Sequence, residues 1–252
     1  MTATPSPIGP DGRDGGQDVA GATAIFAQWQ VYKSIIDRDF MRHREIYAGI
    51  HAFVEAYHPR RFSLLDLGCG DATSIPPTFA GTALAQYTGV DASAAALQAA
   101  RRQLAAAPFE VELLETDLLD SLTTVAASAR PRPDLIVAGF VVHHLSFDEK
   151  RRFFTGCREA LAPGGSLVFY DLFRRPAETR DGFVSAYTEL IATRWGLVGE
   201  TLENTCRHVR EHDFPETTAT IFQLAHEAGF TKPAEERFAD ADGFHRLVCF
   251  AT

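Results

Sequence analysis

The sequence predicts an α/β fold built around a doubly wound parallel sheet. Between residues 59 and 171, short apolar runs alternate with segments of helical spacing, and the first run leads into a glycine turn at Asp66–Asp71. Strands that alternate with helices along a chain pair in parallel through right-handed crossovers. At 252 residues the chain is long enough for one large domain of this class.

The predicted core strands share an apolar composition bounded by turn residues. They are Phe62–Leu67, Ala85–Asp91, Phe109–Glu115, Asp134–Phe140 and Ser166–Asp171. The intervening segments share amphipathic spacing and predict the helices Thr73–Phe79, Ser93–Ala107, Leu118–Ala127 and Asp148–Leu161. A continuous apolar run such as Asp134–Phe140 is typical of a parallel strand buried on both faces.

Two segments precede the predicted core. Residues 1–20 are rich in Gly and Pro and poor in large apolar side chains, which predicts a disordered tail. Residues 21–58 carry apolar side chains at helical spacing and predict N-terminal cap helices, with a break near Asp39–Arg42. The third segment, residues 59–252, is the predicted cofactor-binding domain.

The alternation stops after the fifth strand. Residues 172–213 carry helical patterns and predict a helical cap insertion. The chain then predicts a helix at Thr217–Ala228 and two closing strands, Ala234–Ala239 and Phe244–Ala251. We expect these strands to form a pair at the end of the sheet, with one strand antiparallel to the five of the core.

The composition is that of a soluble enzyme, with 46% hydrophobic and 23% charged residues and a net charge of −9. This acidic balance disfavours nucleic acids and anionic membranes as partners, because both select for basic faces. The chain lacks a signal-peptide pattern and an apolar run of the ~18 residues that span a membrane, so we expect a cytoplasmic protein. The scattered cysteines predict neither a disulfide framework nor a zinc site. They are Cys69, Cys157, Cys206 and Cys249.

The glycine turn and a second acidic residue indicate a nucleoside cofactor. Gly68 and Gly70 follow the first strand, Asp66 precedes them, and Asp91 ends the next strand. Glycines let the backbone approach a ligand, and an acid about 20 residues further on suits ribose hydroxyls. A nicotinamide dinucleotide site requires a third glycine where this chain has Thr73, so the sequence disfavours that cofactor.

Four motifs in order resemble the class I S-adenosylmethionine-dependent methyltransferases over about residues 60–252. They are Asp66–Gly70, Gly89–Ser93, Thr116–Leu118 and the turn Leu161–Leu167. The resemblance implies a Rossmann-like fold, S-adenosylmethionine as the cofactor and methyl transfer as the activity. It implies cofactor contacts at Asp66, Gly68, Cys69, Gly70, Asp91, Ala92, Asp117, Leu118 and Phe140. For Asp117 the alternative is that it only caps the helix that starts at Leu118.

Paired histidines after the fourth strand are the candidate catalytic residues. An imidazole at His143 or His144 titrates near neutrality and suits a general base. The alternative is that one histidine packs or bonds to the backbone. Adjacent histidines rarely converge on one ion, and the sequence offers no evident third ligand, so we expect no metal.

The acceptor is expected to be a small molecule enclosed by the N-terminal helices and the 172–213 insertion. Candidate wall residues are Tyr32, His43, Tyr47, Tyr170, Arg174, Tyr187, Arg207 and His208. We expect N-, O- or C-methylation in secondary metabolism by a monomer or homodimer. A non-methylating enzyme that uses the same cofactor, or a non-catalytic cofactor-binding protein, remains open.

Overall fold

A computed structural model describes residues 35–252 of the chain. Met1–Phe40 and Met41–Thr252 are separate structural units, and the fold below belongs to the second. The predicted tail at residues 1–20 and the candidate wall residue Tyr32 lie outside the described residues. The described part of the chain has no helix long and apolar enough to cross a membrane.

The described residues form one sheet of eight strands. The strands are β1 (Phe62–Leu67), β2 (Leu84–Asp91), β3 (Glu110–Glu115), β4 (Leu135–Gly139), β5 (Ser166–Arg174), β6 (Glu216–Thr217), β7 (Glu235–Ala239) and β8 (His245–Ala251). The main order is β3-β2-β1-β4-β5-β8-β7, and the short β6 pairs with β5. β8 runs antiparallel to both of its neighbours, β5 and β7, as predicted for the closing pair, and the other pairs of strands are parallel.

Helices connect and flank the strands. They are α1 (His43–Tyr57), α2 (Ile75–Thr78), α3 (Ala94–Gln103), α4 (Leu118–Ala127), α5 (Phe147–Ala160), α6 (Arg180–Arg194), α7 (Gly199–His212) and α8 (Thr218–Glu227). The break predicted before α1 is present, because Asp39 and Arg42 both adopt left-handed backbone conformations. Side chains at Ser93, Asp117 and Ser146 cap α3, α4 and α5.

The order of strands places the candidate site. β1 pairs in parallel with β2 on one side and with β4 on the other. The side of the sheet to which successive strands are added therefore changes between β1 and β4. Ligands of open α/β sheets bind beyond the carboxyl ends of the strands at such a point. The glycine turn after β1 and the histidines after β4 both lie there.

The sequence predicted strand positions closely and helix ends less well. β5 continues past the predicted end at Asp171 because His245 of β8 and Glu216 of β6 supply further pairing partners. The helix predicted at Thr73–Phe79 is only four residues long, because Ala72 takes a positive φ of 54° just before it. Two helices, α6 and α7, follow β5 where the sequence predicts an insertion.

Candidate active site

The glycine turn after β1 opens a space at the carboxyl edge of the sheet. Gly68 and Gly70 adopt left-handed conformations with φ of 74° and 56°. A Cβ on Gly68 would lie 2.3 Å from Cγ1 of Val141, so the turn packs directly on the segment after β4. A Cβ on Gly70 would have no contact within 4 Å among residues 35–252. The turn therefore presents bare backbone to a ligand at Gly70 and fits a nucleoside cofactor.

Asp91 fixes the shape of this turn. The backbone N–H of Gly70 donates to Asp91 Oδ2 at 2.9 Å, and the N–H of Ser93 donates to Oδ1 at 2.8 Å. A carboxylate has about four lone-pair positions, so two remain for ribose hydroxyls. Ala92 lies exposed beside it. The position predicted to hold the ribose thus also holds the turn together.

Asp66 is a buried carboxyl beneath the turn. Its Oδ2 accepts a hydrogen bond of 2.9 Å from the Tyr87 hydroxyl. Burial raises the pKa of Asp66 to about 7, the Asp91 charge adds to the rise, and the Tyr87 bond opposes it. Cys69 is also buried, which raises its pKa well above the ordinary value and fits a packing role. A cation next to Asp66 would restore its charge.

At the end of β3, Asp117 caps α4, as the structural alternative predicted. Its Oδ1 accepts from the N–H groups of Leu119 at 2.7 Å and Asp120 at 3.4 Å. The N–H of Thr116 donates to the backbone oxygen of Asp91 at 3.2 Å, which brings this segment beside the ribose position. The cap uses only Oδ1, so Oδ2 of Asp117 is left for the predicted contact with adenine. The adenine contacts of Asp117 and Leu118 stay predictions.

A comparison with known families decides the class of this site. Residues 65–167 match the family model described as a methyltransferase domain. The match runs from β1 into β5 and contains the glycine turn, Asp91 and the segment after β4. This segment is a methyltransferase domain, similar to those of the class I S-adenosylmethionine-dependent methyltransferases.

Individual relatives are distant. The chain is 20% identical to a carboxy-S-adenosyl-L-methionine synthase from Trichodesmium erythraeum, over 80% of this chain and 78% of the relative. It is 33% identical to a trans-aconitate 2-methyltransferase from Acidovorax sp., but over 48% of this chain and 42% of that protein. Among solved structures, magnesium protoporphyrin IX methyltransferase from Synechocystis superposes with a TM-score of 0.60 at 13% identity. That structure holds bound S-adenosylhomocysteine (SAH). That likeness covers 90% of this chain and 94% of the other, and concerns the fold.

Phe140 lies directly after β4, at the edge of the sheet where the acceptor is predicted to bind. Its backbone takes a left-handed φ of 52°, and its backbone N–H donates to the backbone oxygen of Tyr170 at 2.9 Å. Its ring contacts His43 and Tyr170 edge-on, each at 5.2 Å between centroids. Non-glycine residues with positive φ are held only where the surroundings fix them, often at functional sites.

His143 is buried and held by Asp171 of β5. The ring Nδ1 of His143 hydrogen-bonds Asp171 Oδ1. The backbone N–H groups of His143 and Val142 both donate to Asp171 Oδ2, at 3.0 Å. Burial disfavours the charged imidazole, but the carboxylates of Asp171 and Asp213 outweigh it and raise the pKa of His143 above its ordinary value. With Nδ1 committed to Asp171, Nε2 is the ring nitrogen left for another partner.

His144 differs from its neighbour. It is partly exposed, and its Nδ1 lies 3.2 Å from the backbone oxygen of His212. Burial and the His143 charge lower the pKa of His144 to about 4, so its ring is neutral at physiological pH. The two rings lie 3.9 Å apart between centroids. Asp213 at the end of α7 faces both.

The structure brings together only some of the predicted wall residues. His43, Tyr47 and Tyr170 lie around Phe140, and His208 lies beside His144 with ring centroids 5.2 Å apart. The remaining three described candidates are engaged elsewhere: Arg174, Tyr187 and Arg207.

These three residues make intramolecular contacts, and their place in an acceptor wall stays a prediction. All three guanidinium nitrogens of Arg174 donate, to the oxygens of Pro215 and Glu178 and to the Glu216 carboxylate. The Tyr187 hydroxyl is buried in a 3.0 Å bond with His245. Arg207 is exposed and bonds Asn204 one turn away on α7. Their side chains are of the polar kind expected in a pocket wall, but the spacing of residues in the sequence does not predict the direction in which a side chain points.

Sequence reasoning missed Asp171, Asp213 and Tyr87. Asp171 had a readable signal, because it is the one charged residue within the otherwise apolar run Ser166–Phe173. Tyr87 occupies the middle of a strand, and Asp213 ends a helix some 70 residues after the histidines it faces. Neither position carried a local signal.

Proposed function

We propose that this methyltransferase transfers the methyl group of S-adenosylmethionine to a nitrogen, oxygen or carbon atom of a small-molecule acceptor in secondary metabolism. The observation that carries the proposal is an aromatic cluster formed by the start of α1, the residue after β4 and the middle of β5. Its members are His43, Tyr47, Phe140 and Tyr170. We call these four residues the aromatic cluster.

The aromatic cluster has the composition of a small-molecule site. His43, Phe140 and Tyr170 are buried, and Tyr47 contacts Tyr170 edge-on at 6.1 Å between centroids. Burial raises the pKa of Tyr47 to about 12, while bonds with Ser74 and Tyr170 act in the opposite direction. Its hydroxyl is therefore neutral, able to donate and accept hydrogen bonds. Apolar walls with a few placed polar groups suit a compact acceptor better than a macromolecule.

The residues around the glycine turn fit S-adenosylmethionine. Backbone at Gly68 and Gly70 would approach the methionine part, Asp91 would accept from the ribose hydroxyls, and Asp66 would face the ammonium group. The open position of a Gly70 Cβ supports this placement. The cofactor supplies an activated methyl group, so the protein mainly orients the acceptor and excludes water.

His143 and His144 are the proposed acceptor-activating residues. Asp171 orients His143, and Val141 packs on Gly68, so the histidine turn lies next to the cofactor turn. Substituting either histidine by Ala would then lower kcat more than it changes the affinity for SAH. If both variants keep the kcat of the unaltered enzyme at saturating acceptor, acceptor positioning alone suffices.

The comparisons favour a compact acceptor and supply a second candidate. The Acidovorax relative is named for a small carboxylic acid acceptor. The Trichodesmium relative covers most of this chain and is named as a synthase that makes a carboxylated form of the cofactor. A non-methylating enzyme is therefore the alternative, and a non-catalytic binding protein is the third reading.

Product analysis separates these functions. The purified chain would be incubated with S-adenosylmethionine carrying a deuterated methyl group and with a panel of small amines, phenols and carboxylic acids. We expect SAH to form in equal amount with an acceptor that carries the label, read by mass spectrometry. A modified cofactor without SAH would favour the synthase reading. Tight cofactor binding without any product across the panel would contradict enzymatic methyl transfer.

A further inference from the structure

Beyond the cofactor site, the structure places several potential metal ligands around one buried carboxylate. Asp213 Oδ1 lies 3.7 Å from His143 Nε2, 3.5 Å from His144 Nδ1 and 3.7 Å from His208 Nε2. Donor atoms of His143, His144 and Asp213 all lie within 4.8 Å of one another. Each of these distances is too long for a hydrogen bond.

One oxygen of the carboxylate at the centre lacks a hydrogen-bond donor among the described residues. Asp213 is 2% exposed, and its Oδ1 is a buried atom without a hydrogen-bond partner in residues 35–252. Arg180 approaches Asp213 but donates to its backbone oxygen, at 2.9 Å. A buried, unpaired carboxylate oxygen is costly, which indicates that a cation belongs beside it.

The segment that carries Asp213 is held firmly in this position. The N–H of Phe214 donates to the His143 backbone oxygen at 2.7 Å, and β6 pairs with the end of β5 just beyond. Lys150 bonds the Phe214 oxygen and the Glu216 carboxylate. These contacts tie Asp213 to the histidine turn through the backbone, so the arrangement does not depend on one flexible side chain.

We propose that His143, His144 and Asp213 bind one divalent transition-metal ion, with His208 as a fourth candidate ligand. Two ligands 2.0–2.2 Å from a tetrahedral Zn²⁺ lie about 3.4 Å apart, whereas adjacent ligands of an octahedral ion lie about 2.9 Å apart. The separations of 3.5–3.7 Å from Asp213 Oδ1 to the three imidazoles are closer to the tetrahedral value. Binding through His144 Nδ1 would replace the hydrogen bond of this nitrogen to the His212 backbone oxygen. Imidazole and carboxylate ligands without thiolate suit Zn²⁺ and Fe²⁺.

Asp171 completes the arrangement as a positioning residue. Metal-bound histidines commonly donate their second ring nitrogen to a carboxylate, which fixes the ring and its tautomer. His143 bonds Asp171 in this way, and Asp171 is itself fixed by the N–H groups of Val142, His143 and Leu172. Nε2 of His143 is thus directed toward Asp213.

Where His208 does not bind the ion, the three other protein ligands leave a coordination position for water or for an oxygen of the acceptor. His144 and His208 are partly exposed, so this position opens toward solvent. The part of the inference that concerns the acceptor rests on the proposed function and narrows it to hydroxyl- or carboxylate-bearing molecules. The binding of the ion itself does not depend on that function.

Direct metal titration tests the site. The full chain, stripped with a chelator, would be titrated with Zn²⁺ against a chromogenic competitor, and with Co²⁺ while the visible spectrum is recorded. We expect one ion per chain and a Co²⁺ spectrum of tetrahedral type. Asp213→Asn, His144→Gln and Asp171→Asn should each weaken Zn²⁺ binding at least about tenfold. His226→Gln, a substitution of an exposed histidine on α8, should leave the affinity unchanged.

SAH titration of the same samples separates the two proposals. Far-ultraviolet circular dichroism of each variant reports that it is folded, and His144→Gln serves if Asp213→Asn does not fold. Absence of Zn²⁺ binding, or binding that all variants retain, overturns the metal site even if SAH binds. Zn²⁺ binding that is lost in the variants, in a chain that does not bind SAH, supports the metal site and contradicts the proposed function.

Discussion

In the proposed function, single residues at this edge of the sheet combine a structural role with a contact to the cofactor. Asp91 holds the Gly70 backbone and keeps lone pairs for a ribose, and Asp117 caps α4 while it keeps one oxygen free of the cap. Asp66 is the exception, because its only side-chain hydrogen bond in the described chain comes from Tyr87. A buried carboxyl of this kind is poised to respond to a charged ligand.

The raised pKa of Asp66 predicts a pH-dependent cofactor affinity. A cationic cofactor favours the ionised carboxylate, so binding lowers the Asp66 pKa from about 7. By linkage, affinity for S-adenosylmethionine rises as pH increases through about 7. Tyr87, Cys69 and Tyr47 also face Asp66, and burial raises the pKa of each of them further above this range.

Calorimetric titration of S-adenosylmethionine at several pH values between about 6 and 8 measures this effect. Asp66→Asn is the matched control, since an amide keeps the shape and does not titrate. We expect the affinity of the variant to vary less with pH. An equal slope in both proteins would assign the pH dependence to another group.

At the scale of elements, the short strand β6 connects α5 with β5. Lys150 of α5 is 1% exposed and reaches Glu216 at 3.2 Å, while Arg174 of β5 reaches the same carboxylate at 2.8 Å. This network positions the segment that starts at Asp213. Burial lowers the pKa of Lys150, and Glu216 opposes that shift.

Replacing Lys150 by Met removes one partner of a buried ion pair and should be destabilising. We expect the free energy of unfolding to fall by about 2–3 kcal/mol, because the Phe214 oxygen and part of Glu216 lose their donor. Urea unfolding measures the change. Arg151→Met, which removes an exposed pair with Asp148, is the control and should cost less than about 0.5 kcal/mol. Equal losses would mean that the buried network contributes little.

The sequence predicted elements well where one local pattern determined them. Phe62–Leu67 is apolar and bounded by Arg61 and the glycine turn, and the observed β1 has the same ends. The two-residue β6 has no periodicity to read and forms only because β5 extends beyond its predicted end. Likewise, Arg174 and Tyr187 have pocket-like side chains, but tertiary contacts direct them into ion pairs and the core.

On the scale of the whole molecule, the charge argues against a nucleic-acid substrate. The net charge of −9 would repel a phosphate backbone. We expect no retardation of duplex DNA or structured RNA in a gel at about 10 µM protein and physiological salt. Retardation that weakens with added salt would contradict a small-molecule acceptor.

The central claim is that the glycine turn after β1 holds the methyl donor. Two glycines allow a matched test. Gly70 and Gly164 both have positive φ and room for a Cβ, but Gly164 lies in the turn before β5, at the opposite edge of the sheet. An alanine at either position should cost about 1–2 kcal/mol of stability through backbone strain.

Calorimetric titration of SAH into the unaltered chain, Gly70→Ala and Gly164→Ala tests the claim most directly. We expect the unaltered chain and Gly164→Ala to bind SAH with equal affinity. Gly70→Ala should bind at least about tenfold more weakly, a loss of about 1.4 kcal/mol, because the new methyl group would occupy the cofactor's space. Equal binding by all three proteins, or no binding by the unaltered chain, would contradict the assignment of the methyl-donor site to this turn.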